Sequence, residues 1–105
     1  MFPSSGTAAS SAPPAPDLIY DVSDADFETS VIARSMEVPV LLDCWAPWCS
    51  PCRSLTPVLE KVVASLGGAV VLAKLNSDEN PQLAAALRLK TIPQVFLIHG
   101  GQMVD

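Results

Sequence analysis

Apolar residues fall in short runs separated by polar or Gly/Pro-rich punctuation. Leu18-Ile19-Tyr20 is the first run and predicts a short strand. Val40 to Trp45 is apolar almost throughout, the pattern of a strand covered on both faces. Val70 to Leu75 and Val95 to Ile98 repeat that pattern. Between the runs the period changes. Phe27, Val31 and Ile32 recur at helical spacing. Ser23 is placed to cap that helix, with Asp24, Asp26 and Glu28 in a first turn where the helix dipole favours acids. A longer helix is predicted from about Cys49 to Leu66. Leu55, Val58, Leu59, Val62, Val63 and Leu66 would form its inward side, Pro57 would kink it, and Gly67-Gly68 would stop it. Asn80 as cap and Pro81 in the first turn open a third helix reaching Leu87. Gly100-Gly101 has hairpin-turn composition, and Gln102 to Asp105 begins a returning strand. The order predicts an α/β fold with a central sheet flanked by helices.

Residues 1–16 follow neither period. Ser11-Ala12-Pro13-Pro14-Ala15-Pro16 cannot build helix or sheet ladders, so a disordered or extended Pro/Ser/Ala-rich tail is expected there. It reads as a passive leader or as a proline recognition segment. Residues 17–105 are left as a single domain. A chain of 105 residues, half of them hydrophobic, can bury a modest core. The net charge of -5 and the lack of any basic run argue against nucleic acid or anionic membrane as partner. No apolar stretch reaches the roughly 18 residues of a transmembrane helix. The N-terminus lacks the basic patch and apolar core of a secretory signal.

The chemistry concentrates in Trp48-Cys49-Ser50-Pro51-Cys52, placed where the second apolar run meets the long helix. Strand, C-x-x-C, then helix is the arrangement of a thiol–disulfide redox centre. Cys44 is left over once Cys49 and Cys52 pair. One pair plus one odd thiol suits a reducing compartment, so a cytoplasmic location is expected. Zinc usually takes four ligands. Only Cys44 and His99 remain for it, neither at ligand spacing, so no metal is expected. Cys44 is read as a small buried core residue or a regulatory thiol, and His99 as an exposed strand residue.

These motifs, in this order, resemble the thioredoxin family over residues 18–105. Besides Trp-Cys-x-Pro-Cys, Thr91-Ile92-Pro93 matches the family's cis-proline facing the disulfide. Asp43 falls at its buried carboxylate, and Ala73-Lys74-Leu75-Asn76 resembles the strand carrying a lysine near that carboxylate. Pro57 matches the usual helix kink. A narrower resemblance runs through Val38-Pro39-Val40-Leu41, Asp78 to Ala85 and Gly101 to Asp105. It is to thioredoxin domains fused to tetratricopeptide repeats, which act as redox-linked co-chaperones. The chain departs from the family at Ser50, where glycine is commonest, at Cys44, where an aromatic is usual, and at Gln94, where threonine is common. Most of the family's last strand and its C-terminal helix are lacking. That departure implies a truncated domain with an exposed apolar sheet edge.

The resemblance implies a thioredoxin-like fold and a protein-disulfide reductase that needs no bound cofactor beyond its own Cys49–Cys52 disulfide. Cys49, at a helix N-terminus, would be the nucleophile, and Cys52 the resolving thiol. Asp43 would accept the proton of Cys52. Lys74 would tune Asp43 by charge or reach solvent from the strand. A cis Ile92-Pro93 bond would turn the Ile92 backbone outward beside Cys49, where an extended substrate strand can pair. Trp48 would join the apolar rim, and Trp45 would pack in the core or at that rim. Pro51 presets a helical φ. Ser50 would add a hydroxyl near the thiolates, and Arg53 is either a positive charge beside them or a solvated helix residue. The expected partners are proteins with disulfides and a thioredoxin reductase or other thiol donor. An alternative is a client-binding co-chaperone that forms mixed disulfides with unfolded clients and turns over little.

Overall fold

The apolar runs become strands, and the spacing between them becomes crossover helices. A computed structural model describes residues 17–105, so the tail expected over 1–16 lies outside the described residues. Strand β1 is Ile19–Val22. A π-helical segment, Glu28–Ala33, continues into a 3-10 turn, Arg34–Met36. Then come β2 (Val40–Trp45), α1 (Ser50–Ser65), β3 (Val71–Asn76), α2 (Pro81–Ala86), β4 (Gln94–His99) and β5 (Gln102–Met103).

The strands form one mixed sheet in the order β1-β3-β2-β4-β5. β3 pairs parallel to both β1 and β2, with Asp43 opposite Lys74. Parallel neighbours need a long crossover, which α1 supplies between β2 and β3. β4 runs antiparallel to β2, and β5 antiparallel to β4. The β4–β5 hairpin turns on Gly100 and Gly101, whose φ values of 65° and 77° suit a turn that L side chains resist.

Side chains alternate across the sheet. Val40, Leu42 and Cys44 of β2 join Val71, Ala73, Leu75, Phe96, Ile98 and Val31 in the main core. Asp43 points the other way, where Thr56 of α1 binds it. Helix α1 therefore covers the second face.

Three local expectations change. The first helix begins later than Ser23 predicts. Both the amide and the hydroxyl of Ser23 donate to the Asp26 carboxylate, at 2.7 and 3.1 Å, which closes a turn before helical structure starts. Asn80 occupies the position before α2, yet its side chain does not cap it. The Leu83 amide donates instead to the carboxylate of Asp24 at 2.9 Å, while Asn80 accepts from the Asp24 amide and donates to the Asn76 carbonyl. Of the six apolar α1 positions expected to face inward, Val63 is buried, but Val58, Val62 and Leu66 are exposed.

Candidate active site

Strand β2 ends at Trp45, and the Ala46–Trp48 loop delivers Cys49 to the start of α1. The Cys49 amide donates to the Ala46 carbonyl at 3.1 Å, closing that loop. Cys49 is the N-cap of α1, with extended backbone, and Pro51 sits in the first turn. Cys49 and Cys52 form a disulfide, their Cα atoms 5.3 Å apart. The Cys52 amide donates to the Cys49 sulfur at 3.2 Å. This is one of the unpaired first-turn amides of the helix, aimed at sulfur. Both cysteines are buried, in a small cluster with Ala46 against which Trp45 and Ile92 pack.

The Ile92–Pro93 peptide is cis. Ile92 packs against the cluster that holds the disulfide. Trp48 stands on the surface, 68 % exposed, and its indole N–H donates to the Asp78 carboxylate at 3.0 Å. A groove of about 440 Å³ runs between Trp48, Leu89, Thr91 and Ile92. Ser50 is exposed, and its hydroxyl accepts from Arg53 at 3.0 Å rather than standing free beside the sulfurs. Arg53 also donates to the Pro47 carbonyl at 2.6 Å, so its guanidinium straps the loop to the helix. Trp45 is half-buried, with its indole N–H enclosed and unpartnered.

Behind the disulfide, Asp43 is fully buried. Its Oδ2 accepts from the Thr56 hydroxyl at 2.6 Å, while Oδ1 is enclosed without a hydrogen-bond partner. Burial pushes this carboxyl above its ordinary range. The Thr56 hydrogen bond and the Lys74 charge pull it back, and the Glu60 charge adds to the push. Lys74 faces this region from β3, but its ammonium binds Glu60 at 2.9 Å. That hydrogen bond holds the lysine above its usual value. A cleft of about 350 Å³ opens here, lined by Trp45, Cys52, Thr56, Pro57 and Lys74. Thr56 and Glu60 are absent from the sequence reading, and Asp78 enters it only within the stretch Asp78 to Ala85, without a role at the site. The signal for the first two is their spacing: Cys52, Thr56 and Glu60 follow at i, i+4 and i+8, one face of a helix. Among the described residues, no group of three His, Cys, Asp or Glu side chains is arranged to hold a metal ion.

The thioredoxin family model matches residues 19–105. The chain belongs to the thioredoxin family. It is 45 % identical over 84 residues to the thioredoxin of Synechocystis sp., a match covering 80 % of this chain and 77 % of that protein. Thioredoxin 1 of Nostoc sp. is 42 % identical over 84 residues, with the same shares covered. The Haemophilus influenzae thioredoxin is 40 % identical over 86 residues, covering 82 % of this chain and 78 % of that one. Thioredoxin-family membership and the Cys49–Cys52 disulfide make this a thiol–disulfide oxidoreductase whose redox group is its own cysteine pair. Membership of the family implies protein disulfides as substrates and a reductase as partner. No helix among the described residues is long and apolar enough to cross a membrane.

Proposed function

We propose that the protein reduces disulfides of other proteins, with Cys49 as nucleophile and Cys52 as resolving thiol. The observation that carries this reading is the Cys49 sulfur at the N-terminus of α1, receiving the Cys52 amide at 3.2 Å. A helix N-terminus favours negative charge, so the thiolate gains most there. The Cys49 thiolate attacks one sulfur of the substrate disulfide. That S–S bond breaks, a mixed disulfide forms, and the departing substrate sulfur takes a proton from solvent. Asp43 then accepts the proton of Cys52. The Cys52 sulfur attacks Cys49, the internal disulfide closes, and the second substrate thiol leaves. Two electrons have passed from the dithiol to the substrate.

The groove beside Trp48 and the packing of Ile92 against the disulfide cluster support a docking role for Ile92, whose backbone can pair with an extended substrate. Ser50 and Pro51, exposed next to Cys49 in the chain, are assigned to the same docking surface, and Lys74 acts on Asp43 through its charge. In this reading the redox unit is 17–105, the location is the cytoplasm, and thioredoxin reductase or another thiol donor restores the dithiol.

Equilibration of the folded protein in defined thiol–disulfide buffers tests this. The expected result is a two-electron transition near about -270 mV. A value of about -180 to -120 mV indicates a disulfide donor or isomerase instead. A folded sample with no transition overturns the reading.

A second reading, the client-binding co-chaperone, is favoured by the exposed Val58, Val62, Leu66, Met103 and Val104. It predicts that suppression of client aggregation survives Cys49→Ser, whereas disulfide reduction does not. Suppression lost along with the thiol removes this second reading.

A further inference from the structure

Among the described residues, Asp43 is one of three buried polar side chains, with Ser35 and Asn80. It sits fully buried in the central strand, and only one of its two carboxylate oxygens has a partner. That partner is the Thr56 hydroxyl. Thr56 lies one helical turn beyond Cys52, so its hydroxyl and the resolving thiol share one face of α1. The same two residues line the cleft behind the disulfide. The hydroxyl therefore ties the carboxylate to the helix face that carries Cys52.

We infer that Thr56 is a positioning residue for the resolving step: it occupies Oδ2 of Asp43 and leaves Oδ1 as the oxygen that takes the Cys52 proton. The inference rests on the reductase reading above. The step it serves is a proton transfer followed by thiol–disulfide exchange. The S–H bond of Cys52 breaks, and Oδ1 gains the proton. The S–S bond to substrate breaks as the Cys49–Cys52 bond forms, and the substrate sulfur carries off the electron pair.

The hydroxyl has a second effect. It can donate to an ionised carboxylate at no cost, since an ionised carboxylate only accepts. It thus favours the base form of Asp43 against the desolvation that favours the acid. The other groups acting on this carboxyl are Glu60 on α1 and Lys74 on β3; Asp21 of β1 acts on Lys74, and Asp43 itself acts on the Cys44 thiol of its own strand. Cys52 of α1 lines the same cleft as Thr56 and Lys74. From β4 the partner across the ladder is Val95, which carries no charge.

The test uses a mixed disulfide between Cys49 and a fluorescent peptide thiol, prepared at low pH where Cys52 stays protonated. A jump to higher pH starts resolution, and peptide release gives the rate. Wild type is compared with Thr56→Val, which keeps the shape and removes the hydroxyl, and with Thr56→Ser, which keeps the hydroxyl. The expected result for Thr56→Val is a pH profile displaced to higher pH and a rate roughly tenfold lower at pH 7, the size of one hydrogen bond to a charged acceptor. Alkylation of Cys49 in the reduced variant keeps its wild-type rate. Thr56→Ser follows the wild-type profile. A Thr56→Val profile that overlays wild type overturns the inference, as does a Thr56→Ser profile displaced as far as that of Thr56→Val. Failure of wild type to release peptide at any pH overturns the reductase reading itself, which separates the two.

Discussion

Cys44 and Cys49 stand five residues apart and live in opposite environments. Cys49 has a helix amide on its sulfur, whereas Cys44 is enclosed in the main core. Burial, helped by the neighbouring Asp43 charge, pushes the Cys44 thiol up to about 12. The regulatory alternative for Cys44 therefore loses to the packing one. In reduced native protein Cys49 is expected to be alkylated at pH 8 and Cys44 only after denaturation; Cys44 reacting in the native protein at the rate of Cys49 contradicts this. Asp43 gives a prediction of opposite character. Its folded carboxyl holds the proton to higher pH than the unfolded one. The stability this contributes is fully present below the ordinary carboxyl range and is lost as pH rises through the folded value. Asp43→Asn is expected to flatten that decline. At pH 7 it should stabilise the oxidised protein by on the order of 1–3 kcal/mol, the penalty of a buried polar atom left unpaired. Urea unfolding at pH 4 and pH 7 measures it, and a variant that loses stability at both pH values refutes it.

At the scale of elements, α1 carries three stripes with separate jobs. Leu55 and Leu59 are half-buried and Val63 buried, Thr56 and Glu60 bind Asp43 and Lys74 with Cys52 lining the same cleft, and Val58, Val62 and Leu66 remain uncovered. Spacing shows that six apolar residues share a helix. It does not show how much of the circumference a sheet will cover, so the third stripe was expected inside. Glu60→Gln removes an anion near Asp43 and frees Lys74, both of which lower the raised carboxyl. The pH profile of peptide release is expected to move to lower pH, at a stability cost of about 0.2–1 kcal/mol; an upward displacement contradicts this account. The short α2 depends on a residue more than fifty positions earlier. Asp24→Ala removes the carboxylate that receives the Leu83 amide and is expected to cost about 1 kcal/mol in urea unfolding while leaving the reduction potential unchanged. The sequence pattern puts Asp24 in the first turn of its own neighbouring helix. The competing Ser23–Asp26 turn postpones that helix and leaves Asp24 free to reach α2.

Across the whole molecule, the legible part is whatever local chemistry decides. Val40 to Trp45 reads as a covered strand and is one, and the paired glycines stop α1 and turn the hairpin where expected. Cys49, Cys52, Pro93 and Asp43 are conspicuous because each is an unusual residue in its local pattern. Thr56, Glu60 and Asp78 look like ordinary surface polar residues until the fold brings partners to them. Strand neighbours are likewise a tertiary property, which is why element order was readable and the β1-β3-β2-β4-β5 arrangement was not. That arrangement places β2 between two partners, laddered on one side from Val40 to Trp45 and on the other from Val40 to Cys44. Its amides have no free edge from which to fray. In deuterium exchange they are expected to be among the last to open, only with global unfolding. The dithiol follows the end of that strand by one short loop, so repeated oxidation and reduction proceed beside backbone that is slow to breathe.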